Sequence, residues 1–412
     1  MRLLLALLCL AQAEDWPEWR GRGRRGVWNE VRVENLAETR VAWRVPIRAG
    51  FAGPAVANGT VYVTDYGNGV ERVLAFDERN GKPRWEVEWS VNYRGLEYAL
   101  GPRATPTVDV DRVYVLGAAG ELRCLRTKDG SLVWRKDYRA DYYAELPTWG
   151  FASAPLAYRN LLIAVVGGRD AKVIAFDKHT GREQWRALPP DSEPGYSQPL
   201  LVEERRVAVW HAGAVSMLDA ATGKVEWEHP YRIHMNTPIA TPVTDGPHLL
   251  VTAFFQGARL LRLDNGELLW RGNSQSEVRS ETIHAAMVTP VIDEGYIYGI
   301  CAYGELRCLK RSTGERVWET QQVTVERARN ATAFIIRNRD RYLFYNDRGE
   351  LIVGELKPEG YREISRAKLI EPTSTGGGRR ALGAVNWVHP AFANRHMIVR
   401  NDRELLRVAI VR

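Results

Sequence analysis

The sequence predicts an all-β chain, an eight-bladed β-propeller of four-stranded antiparallel blades, closed by pairing of an N-terminal strand at about residues 41–46 with the C-terminal blade. Three observations predict it. A tryptophan recurs four residues after a glycine: Trp85 after Gly81, Trp134 after Gly130, Trp185 after Gly181, Trp227 after Gly223, Trp270 after Gly266 and Trp318 after Gly314. The interval between these tryptophans is 42 to 51 residues, a period at which each unit is one small sheet that cannot bury its faces alone. Finally, Trp43 stands 42 residues ahead of Trp85 with no full unit before it, while the C-terminal run from Glu404 to Ile410 lacks the outer strand its sheet needs.

Taken in order, the chain opens with MRLLLALLCLAQA, one arginine, a short leucine-rich core and Ala11-Gln12-Ala13. That pattern predicts a signal peptide over residues 1–13 with cleavage before Glu14, and hence export. Cys9 lacks the small preceding residue that a lipid-anchored leader requires. Residues 14–39 form an N-terminal extension, and residues 40–412 the propeller.

The first unit shows the signals most clearly. Pro54-Ala55-Val56, Gly59 to Val63, Val73 to Asp77, Asn80-Gly81 and Trp85 alternate short apolar runs with turn residues. Such runs are strands of an antiparallel meander. Asp77, Asp177 and Asp219 are placed to accept turn amides, and the glycine takes the positive φ that ends each hairpin. A proline opens the inner strand of seven units, at Pro54, Pro106, Pro155, Pro199, Pro242, Pro290 and Pro390, where a missing amide is tolerated. The seventh unit, beginning near Thr332, has no such proline and places Ile364 where a tryptophan is expected. Slots at 43, 85, 134, 185, 227, 270, 318 and 364 give eight blades. In the seven that carry tryptophan, the indole serves to pack one blade on the next, so Trp43, Trp85, Trp134, Trp185, Trp227, Trp270 and Trp318 are structural.

Charge excludes one class of partner. The 57 basic and 50 acidic residues leave a net charge of +7, but they are interspersed instead of gathered into the stripe that a nucleic acid needs. No apolar run approaches the roughly 20 residues of a membrane-spanning helix. Beyond the leader the chain has three cysteines: Cys124, Cys301 and Cys308. Cys301 and Cys308 flank a turn at Gly304-Glu305, so they pair across a hairpin as a disulfide or remain buried thiols.

The run Ala175-Phe176-Asp177-Lys178-His179-Thr180-Gly181-Arg182-Glu183-Gln184-Trp185 resembles the tryptophan-docking motif of pyrroloquinoline quinone (PQQ) repeat propellers. The resemblance covers about residues 40 to 412. The opening Trp16-Pro17-Glu18-Trp19-Arg20-Gly21 is similar to the start of exported bacterial PQQ-like proteins. Elsewhere the motif drifts, its alanine becoming Cys124, Met217, Leu260 or Cys308 and its aspartate Arg126, Arg262 or Lys310. The resemblance implies one of two functions, since the family spans quinoprotein dehydrogenases, which hold PQQ and calcium on the ring axis, and non-catalytic members such as the propeller of the outer-membrane barrel assembly machinery.

The enzyme reading finds little support in the residues. The adjacent cysteine pair of the dehydrogenases is absent, and no acidic cluster has the spacing of a calcium loop. No catalytic residue is therefore assigned and no cofactor is expected, with PQQ and calcium as the alternative. The binding reading places its site where loops lead from one outer strand to the next inner strand, because these gather at one mouth of the channel. The candidates there are Arg94 and Arg103, Trp149, His234 and Asn236, His284, then Arg379, Arg380, Asn386, Trp387 and His389. Convergent arginine, histidine and aromatic side chains suit an anionic or planar partner: an envelope protein, a peptide or a small anionic ligand. His234, His284 and His389 come from three units and could share a metal only at the axis; they are read as hydrogen-bonding residues and no metal site is expected.

Overall fold

The computed structural model describes residues 14–375 and 380–410, so the expected leader at 1–13 lies outside the described residues. Eight four-stranded antiparallel sheets stand around one axis. The first blade runs Ala55–Ala57, Thr60–Gly67, Val70–Asp77 and Pro83–Ser90 from the axis outward. In seven blades the innermost strand is only three residues long and starts directly after its proline. The seventh blade, without the proline, has the longer inner strand Ala333–Asn338.

The ring closes as the spacing predicts. Arg40–Pro46 pairs antiparallel with Glu404–Ala409, with Arg44 opposite Leu406 and Pro46 opposite Glu404. The outer strand of the eighth blade thus comes from the N-terminal end and its other three from the C-terminal end, which leaves no incomplete sheet in the ring.

The tryptophans dock from blade to blade, and the docking explains the glycine. A Cβ built on Gly81, Gly130, Gly181, Gly223, Gly266 or Gly314 would lie 2.5 to 2.9 Å from an indole carbon of the preceding blade's tryptophan. Each of these glycines also has φ between +71° and +74°, so both the space and the backbone demand glycine. The indole N–H of Trp43, Trp85, Trp134, Trp227, Trp270 and Trp318 donates to a carbonyl of the next blade's turn at 2.6 to 3.1 Å. Trp185 sits on Gly223 in the same way, but its indole N–H has no partner. A bulge just before each tryptophan, such as the register shift between Ala75 and Phe76 opposite Trp85 and Pro83, recurs at the same place in every blade.

The seventh blade corrects the sequence reading. Val353 pairs with Ser365 and Gly354 with Glu363, so Ile364 is the bulged residue and Ser365 holds the tryptophan's place. The reason lies next door. The eighth blade is built from both chain ends, so it has no hairpin turn on which an indole could sit. Instead the backbone N–H of Leu36 donates to Ser365 Oγ at 3.0 Å, and the Leu36 side chain is buried at the seam.

The cross-hairpin disulfide is not formed. Cys124, Cys301 and Cys308 are free and buried. Cys308 pairs in register with Tyr298, while Cys301 lies beyond the strand end, where its sulfur accepts the His284 N–H at 3.3 Å. Among the described residues no helix is long and apolar enough to cross a membrane.

Candidate functional site

The N-terminal extension enters the channel and gives it a floor. Trp16 exchanges backbone hydrogen bonds with Val56 of the first inner strand at 2.9 and 2.8 Å, and Pro17 O accepts Val108 N–H of the second blade at 2.8 Å. Gly21, at φ +77°, turns the chain so tightly over Trp16 that a Cβ there would lie 2.7 Å from the indole. This turn aims Arg24 across the axis. Its guanidinium, 1 % exposed, donates to the carbonyls of Ala154, Pro155 and Pro199 at 3.1, 2.7 and 2.7 Å and to Glu18 at 3.0 Å. Farther along, Trp28 N–H bonds to Arg337 O at 2.9 Å, and Asn338 Nδ2 donates to the carbonyls of Trp28 and Val31 at 2.7 Å. One short segment therefore ties blades on opposite sides of the ring.

Above this plug the channel widens into a cup of about 300 Å³ that opens at the inter-blade loops. That is the lower end of the roughly 300–1,000 Å³ typical of small-molecule sites. Trp19, whose indole N–H donates to Thr241 Oγ1 at 2.9 Å, and Phe334 form the bottom, edge to face at 6.4 Å. The wall follows a simple rule. Phe51, Arg103, Ala152, Tyr196, Ile239, Met287 and Trp387 each stand three residues before the proline of an inner strand, and Arg329 stands three before Thr332 in the blade that lacks one. Each blade thus contributes one residue to a single ring. Tyr98, Trp149, Met235 and Asn330 continue the wall toward the mouth.

The structure sorts the candidates into three groups. Arg103, Trp149 and Trp387 line the cup. Arg94, His234 and Asn236 are on the outer loops: Arg94 is exposed, His234 stacks on Phe255 at 4.2 Å, and Asn236 bonds Glu193 at 2.7 Å. The remaining described candidates are internal. Arg380 is buried in ion pairs with Glu326 at 3.1 Å and Asp347 at 2.9 Å. Asn386 is buried and donates to Tyr345 Oη and Arg400 O. His389 lies under the floor among Trp16, Trp19 and Phe334, its Nδ1 2.6 Å from Pro390 O. His284 is fully buried beside Phe254 O at 3.2 Å. Burial pulls the pKa of His389 down to about 3 and that of His284 to about 4, so both are neutral packing residues. Arg379 lies outside the described residues.

Sequence reasoning missed Trp19, Phe51, Gln198, Phe254, Met287 and Phe334. The count of three back from each proline would have found Phe51 and Met287. Trp19 carried no repeat signal at all, because it belongs to the extension.

The cup does not suit a calcium-bound quinone. Calcium takes six to eight oxygen ligands, chiefly carboxylates and carbonyls. None of the cup's lining residues is an aspartate or glutamate, and its two charged residues, Arg103 and Arg329, are both cations. Among the described residues no cluster of three or more histidine, cysteine or acidic side chains could hold a metal ion.

Comparison with known proteins agrees with the fold. A solved structure of BamB from Moraxella catarrhalis superposes with a TM-score of 0.62 at 14 % identity, covering 90 % of this chain and 98 % of that one. The quinohemoprotein alcohol dehydrogenase of Comamonas testosteroni superposes with a TM-score of 0.69 at 12 % identity, covering 96 % and 80 %. In sequence, the outer membrane protein assembly factor BamB of Burkholderia pseudomallei (strain K96243) is 25 % identical over 247 residues, 58 % of this chain and 60 % of that protein. The match therefore spans about three fifths of that relative's length. The quinohemoprotein alcohol dehydrogenase ADH-IIG of Pseudomonas putida is 26 % identical over 174 residues, 40 % of this chain and 23 % of that protein. A family model described as outer membrane protein assembly factor BamB matches residues 30–145 and 144–355. With most of its blades inside that match, the chain belongs to this family of PQQ-like repeat propellers.

Proposed function

We propose that this protein is an exported, non-catalytic binding module of the bacterial envelope, a scaffold that engages a protein or peptide at the loop face of its ring. The observation that carries this reading is the cup itself. It is apolar, cationic, closed beneath by the chain's own N-terminal segment, and without a carboxylate to act as base or metal ligand. The relatives support the reading, since two of them are named as outer membrane protein assembly factors. The leader over residues 1–13 supports export, with a mature chain beginning at Glu14.

The test is site-specific photo-cross-linking in living cells. A photoreactive residue replacing the exposed Tyr143 on the loop face should trap a discrete envelope partner. The same residue replacing Val225, exposed on an outer strand, should not. Equal cross-linking from both positions, or from neither, would overturn the reading. The second reading, a PQQ-dependent dehydrogenase, draws on the names of the dehydrogenase relatives. It requires that PQQ and calcium added to the purified protein produce a bound quinone absorbance, which the lining of the cup predicts will not appear.

A further inference from the structure

A buried cation in the N-terminal plug has no counter-charge. Six arginines are buried among the described residues: Arg20, Arg24, Arg206, Arg307, Arg400 and Arg407. Four of them hold a carboxylate, Arg24 that of Glu18 at 3.0 Å, Arg206 that of Glu203 at 2.7 Å, Arg307 that of Glu319 at 3.0 Å and Arg407 that of Glu78 at 3.0 Å. Arg400 has no ion pair, but it donates to the carbonyls of Arg48, Thr64 and Asn401 and lies in the field of Asp65 and Asp402. Arg20 has neither kind of support. Its single hydrogen bond among the described residues runs from Nη2 to Arg25 O at 3.5 Å, and no carboxylate acts on it.

The plug builds this isolation in. The N–H of Gly26 donates back to Arg20 O at 2.8 Å and closes residues 20–26 into a loop. A Cβ on Gly26, itself at φ +64°, would lie 2.3 Å from Arg20 Nη2, so backbone seals that side of the guanidinium. His389 also lies within electrostatic reach of Arg20, but it is neutral and brings no negative charge. The nearest acid in sequence, Glu18, is spent on Arg24 and on the N–H of Gly23 at 2.9 Å.

Arginine cannot escape by giving up its proton. Burial pulls the Arg20 pKa down to about 9, which still leaves the group charged at neutral pH. A charge taken out of water and left unpaired is among the most costly groups a fold can hold, so buried charges are found with partners. The partner missing here must be negative and must accept from several N–H groups at once. It must also be small, because the side chain is only 4 % exposed. A carboxylated or phosphorylated molecule needs an open approach, whereas a monatomic ion needs little more room than a water.

We infer that Arg20 holds a halide ion, chloride under physiological conditions, inside the N-terminal plug. The ion neutralises a cation that the floor of the channel otherwise leaves unpaired, and so fastens the plug in the ring. Arg20 is not among the residues lining the cup, and its site is independent of what the loop face binds.

Melting curves of the mature protein in sodium chloride, sodium bromide and sodium gluconate at one ionic strength test this. Chloride and bromide should raise the melting temperature along a saturating curve, by about 3 °C at concentrations far above Kd, while gluconate, too large to enter, should not. Arg20→Met keeps the aliphatic stem and removes the charge, and it should melt at the same temperature in all three salts. Wild-type crystals grown in bromide give a readout that needs no variant, an anomalous peak within hydrogen-bond reach of the Arg20 guanidinium; if Arg20→Met does not fold, the wild-type salt series and this map decide. Equal melting in chloride and gluconate, a halide response that survives in Arg20→Met, or a bromide map without a peak beside Arg20 would each overturn the inference. A peak in the crystal with no effect of chloride on melting would mark an adventitious ion only, and would overturn it as well.

Discussion

The perimeter and the axis of this ring are built by opposite rules. On the perimeter, one indole on one glycine is repeated at six blade junctions, with would-be Cβ contacts that differ by only 0.4 Å, from 2.5 to 2.9 Å. At the axis, the eight equivalent positions that ring the cup hold phenylalanine, arginine twice, alanine, tyrosine, isoleucine, methionine and tryptophan. Below them a segment outside the repeat fills the channel. Repetition fixes the architecture, and the binding chemistry is written where repetition stops.

The largest effect should come from breaking the axis. Arg24→Met keeps the aliphatic stem but strips the donors from the carbonyls of Ala154, Pro155 and Pro199 and leaves Glu18 unpaired. Removing one partner from a buried ionic network costs about 3–5 kcal/mol, and contact with several chain segments puts this case near about 5 kcal/mol. Urea unfolding monitored by tryptophan fluorescence should show the midpoint falling accordingly. A loss below about 1 kcal/mol would mean that the ring does not depend on its plug.

A perimeter substitution should cost somewhat less. Trp134→Ala removes a buried indole and its bond to Lys178 O at 3.1 Å, for about 3–4 kcal/mol. Trp185→Ala should cost about 1 kcal/mol less, because its indole N–H has no acceptor to lose. The same unfolding measurement compares the two, and equal losses would show that the hydrogen bond adds nothing to docking.

The propeller and its closing strand were legible in the sequence because the glycine and the tryptophan answer one steric requirement, and that requirement recurs. The seventh slot was misplaced by one residue since the bulge that precedes each tryptophan shifts Ser365, not Ile364, into register with Val353. The site was legible only by topology. The inter-blade loops do form the mouth, and Arg103, Trp149 and Trp387 do line it. Loop position alone does not separate a polar residue facing the channel from one buried with its own partner. Arg380 with Asp347, Asn386 with Tyr345 and His389 beneath Trp19 are of the second kind. The floor could not be inferred at all, because Trp19 and Arg24 belong to no repeat.

The pH dependence of stability sharpens that distinction. His284 and His389 are held neutral, their pKa values pulled down by burial to about 4 and about 3. Unfolded histidine takes up its proton near pH 6.5. The folded chain refuses that proton until far lower pH, so the stability is whole above pH 6.5 and is lost as pH falls toward 4 and 3. Each buried histidine contributes a slope of up to ~1.4 kcal/mol per pH unit in that window. Melting temperatures between pH 7.5 and 4.5 should fall more gently in His389→Gln than in the wild type. An unchanged slope would place His389 in contact with water, as a true channel-lining residue.

Hydrogen exchange of the backbone amides tests the central claim most directly, that the segment from Trp16 to Trp28 is built into the ring as its floor. The amides of Trp16 and Trp28 bond to Val56 and Arg337 inside the channel, and those of Val56 and Val108 bond back to the segment. Peptides covering residues 14–30 should therefore exchange as slowly as those covering the inner strands Ala55–Ala57 and Ala333–Asn338. Complete exchange of residues 14–30 within seconds, while the inner strands stay protected, would contradict the account by leaving the channel open from end to end.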